Sequence, residues 1–457
     1  MNRTSLLLGA LIAVLMFSLI MCTGFDTGNS SVHTSKIQEA AASTPPPKDT
    51  PPPVRTTPFG HLRFEHRRVQ QEKMCDVKYP NATLDMLKGT LAFRGVRKVA
   101  IVAVLKDCYD QLKSIEKAIY QVAEVLSPEN VFVSLLESGS DVDEGTPHLL
   151  NSMSNRLQAL GVSNVVSTGE TRTSAVWKKH EVGSRIKFLA RLRNAAMIPA
   201  LDGHPKGYFD QVFFVNDVFI CGGDILRLLA HNADMACGSD YADAGVLYDI
   251  WINSNWVFTE YTPEMFEADK AAVPPNTAAR NVFACWNGGM ATNAALWYNG
   301  VRFREGMKEL GTGDCYQSES SLWPMDAHTL GYHNVVLDTT VQVAYSWSIY
   351  ADAFHDSSPE NKTIVVSPNV ASLGVDLSDI SYRCCEIEGS KRGVDFRACH
   401  TRKLRSPGKD VCLANTMRCL RYSPTRWVED WNWKPLLKIG NKTLLQDKSI
   451  FFQIELE

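Results

Sequence analysis

Between residues 97 and 216 the chain alternates runs of strand length with stretches of helical spacing, and no other feature restricts its fold as much. The run Val99-Ala100-Ile101-Val102-Ala103-Val104-Leu105 has the unbroken apolar content of a strand covered on both faces. Leu112, Ile115, Ile119, Val122, Ala123 and Leu126 then recur at helical intervals, and Pro128 ends that helix. A second strand is predicted over 131–136, a helix over 149–160, a third strand over 162–166, a helix over 184–201 and a fourth strand over 209–216. Strands and helices in strict alternation at this spacing predict a parallel sheet with right-handed crossovers. The fourth strand ends in Asn216-Asp217, and 224–229 reads as the next helix. A strand that delivers a carboxylate at its C-terminal end, just before a helix, is how open α/β sheets build ligand sites.

The second half is less regular. Segment 233–240 is expected to be a short strand leading into a polar loop, and 248–251 and 282–289 are expected to be further strands, the latter closing in a glycine-rich turn. Late strands are expected at 334–338 and 341–345. Glycines at Gly288-Gly289 would let a ligand approach the backbone closely. Hydrophobic residues make up 45% of the chain, enough for most of it to bury a core. The formal net charge is -3 and no Lys/Arg-rich run occurs, so a nucleic-acid partner is not expected.

The first residues speak to location. Met1 to Thr4 carry Arg3, and 5–21 is uncharged and almost wholly apolar, the low end of length for a spanning helix. Two readings are open: a cleaved signal peptide, for which Cys22-Thr23-Gly24 is a poor cleavage site, and an uncleaved signal-anchor. With an anchor, 1–4 is a cytosolic tail, 5–23 the membrane helix and the remainder lumenal, since the positive charge stays inside. Residues 24–70 form a Pro/Ser/Thr-rich stem containing Pro45-Pro46-Pro47 and Pro51-Pro52-Pro53, expected to be extended and disordered. The globular part then spans 71–350, with a nucleotide-binding half over about 97–240 and an acceptor half over about 241–350, and 351–457 is a cysteine-rich extension.

Of 12 cysteines, Cys22 lies at the membrane edge and five, Cys384, Cys385, Cys399, Cys412 and Cys419, crowd the extension. No C-x-x-C pattern supports a zinc site, so disulfides of an oxidising compartment are the better reading, with pairing left open. Sequons at Asn29, Asn81, Asn361 and Asn441 are compatible with N-glycosylation. The layout is that of a single-pass type II protein of the Golgi or ER with a lumenal domain.

Six segments carry a family resemblance: 133–140, Leu192-Arg193-Asn194, 214–219, 233–238, Tyr248-Asp249-Ile250-Trp251 and Cys285-Trp286-Asn287-Gly288. In this order the set resembles the fungal capsule-associated proteins and cryptococcal α-1,3-mannosyltransferases, glycosyltransferase family 69, over roughly 98–346. The segment 313–320 keeps a Ser-Glu but departs from the family in lacking a second cysteine. The resemblance implies a GT-A-like, Rossmann-type mixed α/β sheet flanked by helices. It also implies a divalent metal (Mn²⁺ or Mg²⁺), GDP-mannose as nucleotide-sugar donor, a glycan acceptor and α-1,3 transfer of mannose. Two alternatives stay open. One is a non-catalytic glycan-binding or assembly factor for capsule or wall polysaccharide export. The other is a lumenal transferase of another sugar such as xylose.

Against that background Asp217 is the candidate metal ligand, with Asn216 a weaker ligand to metal or phosphate. Glu319 and Asp249 are the candidate catalytic acids, Glu319 orienting the acceptor hydroxyl or stabilising oxocarbenium-like charge. Arg185, Arg191, Arg193 and Asn194 are candidates for the diphosphate, although part of that helix must face solvent. Trp286 and Asn287 are candidates to line the sugar site, Trp286 being equally readable as core. Asp240 reads as a sugar ligand or a turn cap, and Glu137 ends the second strand where a base or ribose would sit.

Overall fold

A computed structural model describes residues 70, 73–141, 145–168, 182–243, 246–248, 252, 279–304 and 318–355, together with short strands between 381 and 443. The expected anchor, the stem up to residue 69 and Asp249 lie outside the described residues. Among the described residues no helix is long and apolar enough to cross a membrane.

The first half follows the predicted alternation. Helix α1 (Asn81–Phe93) precedes β1 (Val99–Leu105), α2 (Tyr109–Leu126), β2 (Val131–Glu137), α3 (Thr146–Ala159), β3 (Ser163–Ser167), α4 (Val182–Asp202), β4 (Gln211–Val215) and α5 (Gly222–Ala230). Strands β1, β2, β3 and β4 pair in parallel in the order β3-β2-β1-β4. Every residue of β2 and β4 is buried, as a strand covered by helices on both faces requires. Helix α2 turns Leu112, Ile115, Ile119 and Val122 to that sheet.

The second half is where sequence and structure part. Strand β5 (Met235–Asp243) continues through the segment expected to be a polar loop, because Ser239 and Asp240 are fully buried in the sheet. After the two-residue β6 (Val246–Leu247), the segment 282–288, all but the last residue of the strand expected over 282–289, is not a strand. It is a connection between β7 (Ala279–Asn281) and β8 (Gly289–Asn293), with helix α6 (Ala294–Tyr298) after β8. The reason lies in Asn287 and Gly288, whose φ of 44° and 69° break extended backbone. The two late strands are one, β9 (Val335–Ala344), flanked by α7 (Glu319–Thr329) and α8 (Trp347–His355).

Strand β8 lies antiparallel to both β4 and β5, and β9 lies parallel to β5 and antiparallel to β7. The sheet is therefore mixed, in the order β3-β2-β1-β4-β8-β5-β9-β7, and its direction reverses immediately beside β4. Farther on, β10 (Ser381–Ile387) pairs with β11 (Val394–Lys403), and two smaller antiparallel pairs follow.

Helix α5 is buried on all sides, including Asp224 and Arg227. Such a helix needs its charges matched. Lys78 meets Asp224 at 2.8 Å and the Tyr79 hydroxyl donates to the same oxygen at 2.6 Å. Arg227 and His231 both meet Asp338 Oδ2, at 2.7 and 2.8 Å. Gly223 exists for this packing, since a Cβ there would fall 2.1 Å from the Tyr79 ring. Disulfides Cys75–Cys221 and Cys237–Cys285 tie the segment before α1 to α5, and β5 to the connection before β8. Cys108 is buried and stands outside both disulfides.

Candidate active site

A cleft of about 640 Å³ opens at the carboxyl ends of β1, β2 and β4, roofed by α4 and the start of α7. This is where parallel strands end and the sheet changes direction, the place open α/β sheets use for ligands. Six of the sequence candidates line it: Arg185, Arg193, Asn216, Asp217, Trp286 and Glu319.

Asn216 is held at the strand end by three bonds. Its N–H donates to Gly288 O at 2.8 Å, its Nδ2 donates to the Tyr345 hydroxyl at 3.2 Å, and its carbonyl accepts from Val218 N at 2.9 Å. The tight turn closed by that last bond carries Asp217 into the cleft wall. Burial pushes the Asp217 carboxyl above its ordinary pKa, while its own N–H and the charges of Arg193 and Arg185 pull the other way.

Helix α4 presents Arg185 and Arg193 to the cleft from one face, with Ile186, Leu189 and Leu192 between them. Arg193 is buried, and its Nη1 donates to Glu319 and to the Ser320 hydroxyl. Its guanidinium lies over the Trp286 ring at 4.4 Å and faces Phe303 at 5.4 Å, an arrangement that suits a planar delocalised cation. Glu319 is the first residue of α7, only 1% exposed, and Ser318 caps the helix by accepting from Ser320 N. The Ser318 hydroxyl also donates to Glu319 Oε2 at 3.1 Å. With the Ser320 hydroxyl 3.5 Å from its other oxygen, Glu319 is thus no surface acid but a carboxylate fixed from three sides.

Trp286 satisfies both of its readings. It packs in an aromatic cluster, 5.3 Å from Phe214 and edge-on to Phe303 at 5.1 Å, and it also lines the cleft.

The remaining described candidates stand outside the lining. Asn194 clamps the backbone of Phe303, donating to its carbonyl at 2.7 Å and accepting from its N–H at 3.0 Å. Asn287 donates to Gly238 O at 2.6 Å and is fully buried, as is Asp240, whose carbonyl accepts from Tyr248 N. Glu137 is buried and accepts from Ser140 N, shaping the loop after β2. Arg191 sits on α4 away from the lining.

Sequence reasoning missed Lys106, Asp107, Ser138, Tyr248 and Tyr345, all in the lining. Lys106 Nζ bridges Asp107 Oδ2 at 2.7 Å and Gly139 O at 2.9 Å, and Asp107, at φ 47°, accepts from Asp141 N. The missed signal was positional: Lys106, Asp107, Ser138 and Tyr345 each follow within two residues of a strand's carboxyl end.

Among the described residues no group of three or more His, Cys, Asp or Glu side chains is placed to hold a metal ion. A divalent ion with one or two carboxylates from protein and its other ligands from a substrate phosphate would still fit here, and the desolvated Asp217 carboxylate beside the Asn216 amide matches that need.

Three kinds of likeness accompany this geometry. An alpha-1,3-mannosyltransferase of Cryptococcus neoformans is 25% identical over 333 residues, which are 67% of this chain and 66% of the relative, so the chain spans a little under two thirds of that protein. Among solved structures, a mannosyltransferase from Pyrobaculum calidifontis in complex with GDP-Man and Mn²⁺ overlays with a TM-score of 0.32 at 10% identity, covering 62% of this chain and 68% of the other. Staphylococcus aureus TarS 1-349 overlays at 0.31 and 15% identity, covering 55% and 60%. Overlaps this loose decide neither fold nor chemistry. Residues 98–326, half of the chain, match the family model described as Cryptococcal mannosyltransferase 1, and the chain belongs to that family.

Proposed function

We propose that the chain is a metal-dependent glycosyltransferase of GT-A-like architecture that passes mannose from GDP-mannose, in α-1,3 linkage, to a glycan acceptor. One observation carries the reading: a desolvated carboxylate, Asp217, stands at the carboxyl end of β4 in a cleft that two arginines of α4 also line. Family membership supports a mannosyl donor, and the cleft offers a way to handle one.

The nucleoside end of the donor lies along the ends of β1 and β2, where Lys106, Asp107 and Ser138 offer polar contacts and Glu137 fixes the loop. The diphosphate lies beside Arg185 and Arg193. Asp217, with Asn216, would hold a divalent cation, which neutralises charge on the departing diphosphate. The sugar then sits between Asp217 and Glu319, against Trp286. Arg193 fixes the Glu319 carboxylate by direct hydrogen bonding, so Glu319 meets the acceptor hydroxyl or the positive charge that develops on the sugar without first having to reorient.

The protein would work on the lumenal side of the Golgi or ER membrane, held there by segment 5–23. The two disulfides support an oxidising compartment.

Titrating GDP-mannose into the full chain in detergent, with and without Mn²⁺, tests the assignment. Binding should tighten with Mn²⁺, and Asp217→Asn should remove that metal dependence. Equal affinity with and without Mn²⁺ in the wild type would refute the metal assignment.

A further inference from the structure

Tyr248 is an anomaly of the surface. Half of it is exposed, although it is large and largely apolar, and among the exposed large hydrophobic residues described it alone lines the cleft. Its ring centroid lies 4.6 Å from that of Tyr345, with the two planes at 48°, so the pair forms an angled aromatic corner at the cleft mouth. The corner is built rigidly. Tyr248 N donates to Asp240 O at 3.0 Å, and Tyr345 O accepts from Gln111 Nε2 at 2.6 Å. The Tyr345 hydroxyl accepts from Asn216 Nδ2, which couples the corner to the residue beside Asp217.

Position says what would cover it. The strand order places β1 and β2 on one side of β4, and β5 and β9 on the other. Tyr248 follows β6, the hairpin partner of β5, and Tyr345 follows β9. The polar side chains Lys106, Asp107 and Ser138 occupy the opposite flank. A ligand with its charged part at Asp217 and its base toward β1 and β2 leaves the tyrosine flank to a second molecule. Pyranose rings present a face of C–H groups, apolar and slightly positive, which matches the negative face of a tyrosine ring. Exposed aromatic surface beside the charged and polar groups of a cleft is what such a face requires.

We propose that Tyr248 and Tyr345 form the platform that seats a sugar ring of the glycan acceptor, across Asp217 from the nucleotide. The proposal rests on the transferase reading for what occupies the rest of the cleft.

The experiment measures binding of an α-1,3-linked mannotriose to the full chain in detergent, in the presence of GDP and Mn²⁺, by saturation-transfer NMR and calorimetry. Tyr248→Ala should weaken mannotriose binding about tenfold, the upper range for a lost aromatic contact. Tyr248→Phe should bind as the wild type does, and GDP-mannose affinity should be unchanged in both. Unchanged mannotriose affinity in Tyr248→Ala overturns the proposal, as does a wild type that binds no mannotriose. Loss of GDP-mannose affinity with mannotriose binding intact overturns it too, and moves the corner under the nucleobase. A wild type that binds mannotriose but no nucleotide-sugar would instead sink the transferase reading and leave the platform standing.

Discussion

On the proposed reading, Asp217 trades stability for chemistry in a single side chain. Burial raises its pKa, so at neutral pH its charged form is less comfortable in the fold than in the unfolded chain. Asp217→Asn should therefore raise the melting temperature at neutral pH while lowering turnover by about a hundredfold or more, the scale of losing charge stabilisation on a leaving group. The stability gap between variant and wild type should begin to close as pH falls through the raised pKa and vanish below the ordinary aspartate pKa of about 3.9, where Asp217 is neutral in both states. Thermal melts across pH, beside initial rates, measure both. Arg193 and Glu319 make the contrasting case, since both are buried and each is the other's partner. Arg193→Gln should cost about 3–5 kcal/mol by leaving a buried carboxylate unmatched. Adding Glu319→Gln to it should restore most of the stability and none of the activity, and denaturant unfolding of the three variants resolves the difference.

At the scale of elements, the turn between β7 and β8 governs the site. Gly288 at φ 69° gives its carbonyl to Asn216 N, and a Cβ there would stand 3.0 Å from both Val218 Cγ1 and Val343 Cγ2. Gly288→Ala should cost about 1–3 kcal/mol in strain. It should also reduce turnover by moving the 216–217 turn, a coupling that rates and melts of one preparation would expose. The same region marks the limit of what the sequence displayed. Strands β1, β2 and β4 were legible because parallel strands covered on both faces write themselves as apolar runs such as 99–105 and 211–215. Strand β5 was legible only to its middle, since it buries Ser239 and Asp240 in the sheet, where a sequence reading expects solvent. Within the site, Asp217 and Glu319 were legible as carboxylates in telling positions. The burial of Glu319 under Arg193 was not, because 126 residues separate partners that only the packing of α7 on α4 brings together. Tyr345 offered only its place just past a strand end and Tyr248 only its place in a resemblance segment, and neither disclosed the corner, since an aromatic residue reads as core until its exposure is known.

At the scale of the whole domain, one disulfide and one buried histidine set how stability responds to reductant and to pH. The Cys75–Cys221 bridge spans 146 residues of sequence, so Cys75→Ser should lower stability by about 4–5 kcal/mol on a chain-entropy account. Chemical unfolding with and without reductant checks it. His328 is fully buried, stacks on Phe283 at 4.6 Å and contacts Phe283 O through Nε2 at 2.7 Å. Burial, helped by the neighbouring His333, brings its pKa down to about 4. Unfolding frees it to take up a proton, so its contribution is complete above the ordinary histidine pKa of about 6.5 and is lost as pH falls from there toward about 4. His328→Gln should flatten the stability profile across that window, as melts between those limits would record. The central claim is metal-dependent transfer. Incubating the full chain with GDP-mannose, Mn²⁺ and an α-mannoside acceptor should yield a product one hexose heavier, abolished by chelator and by Asp217→Asn. A product that survives both treatments, or no transfer from any nucleotide-sugar offered, would contradict it.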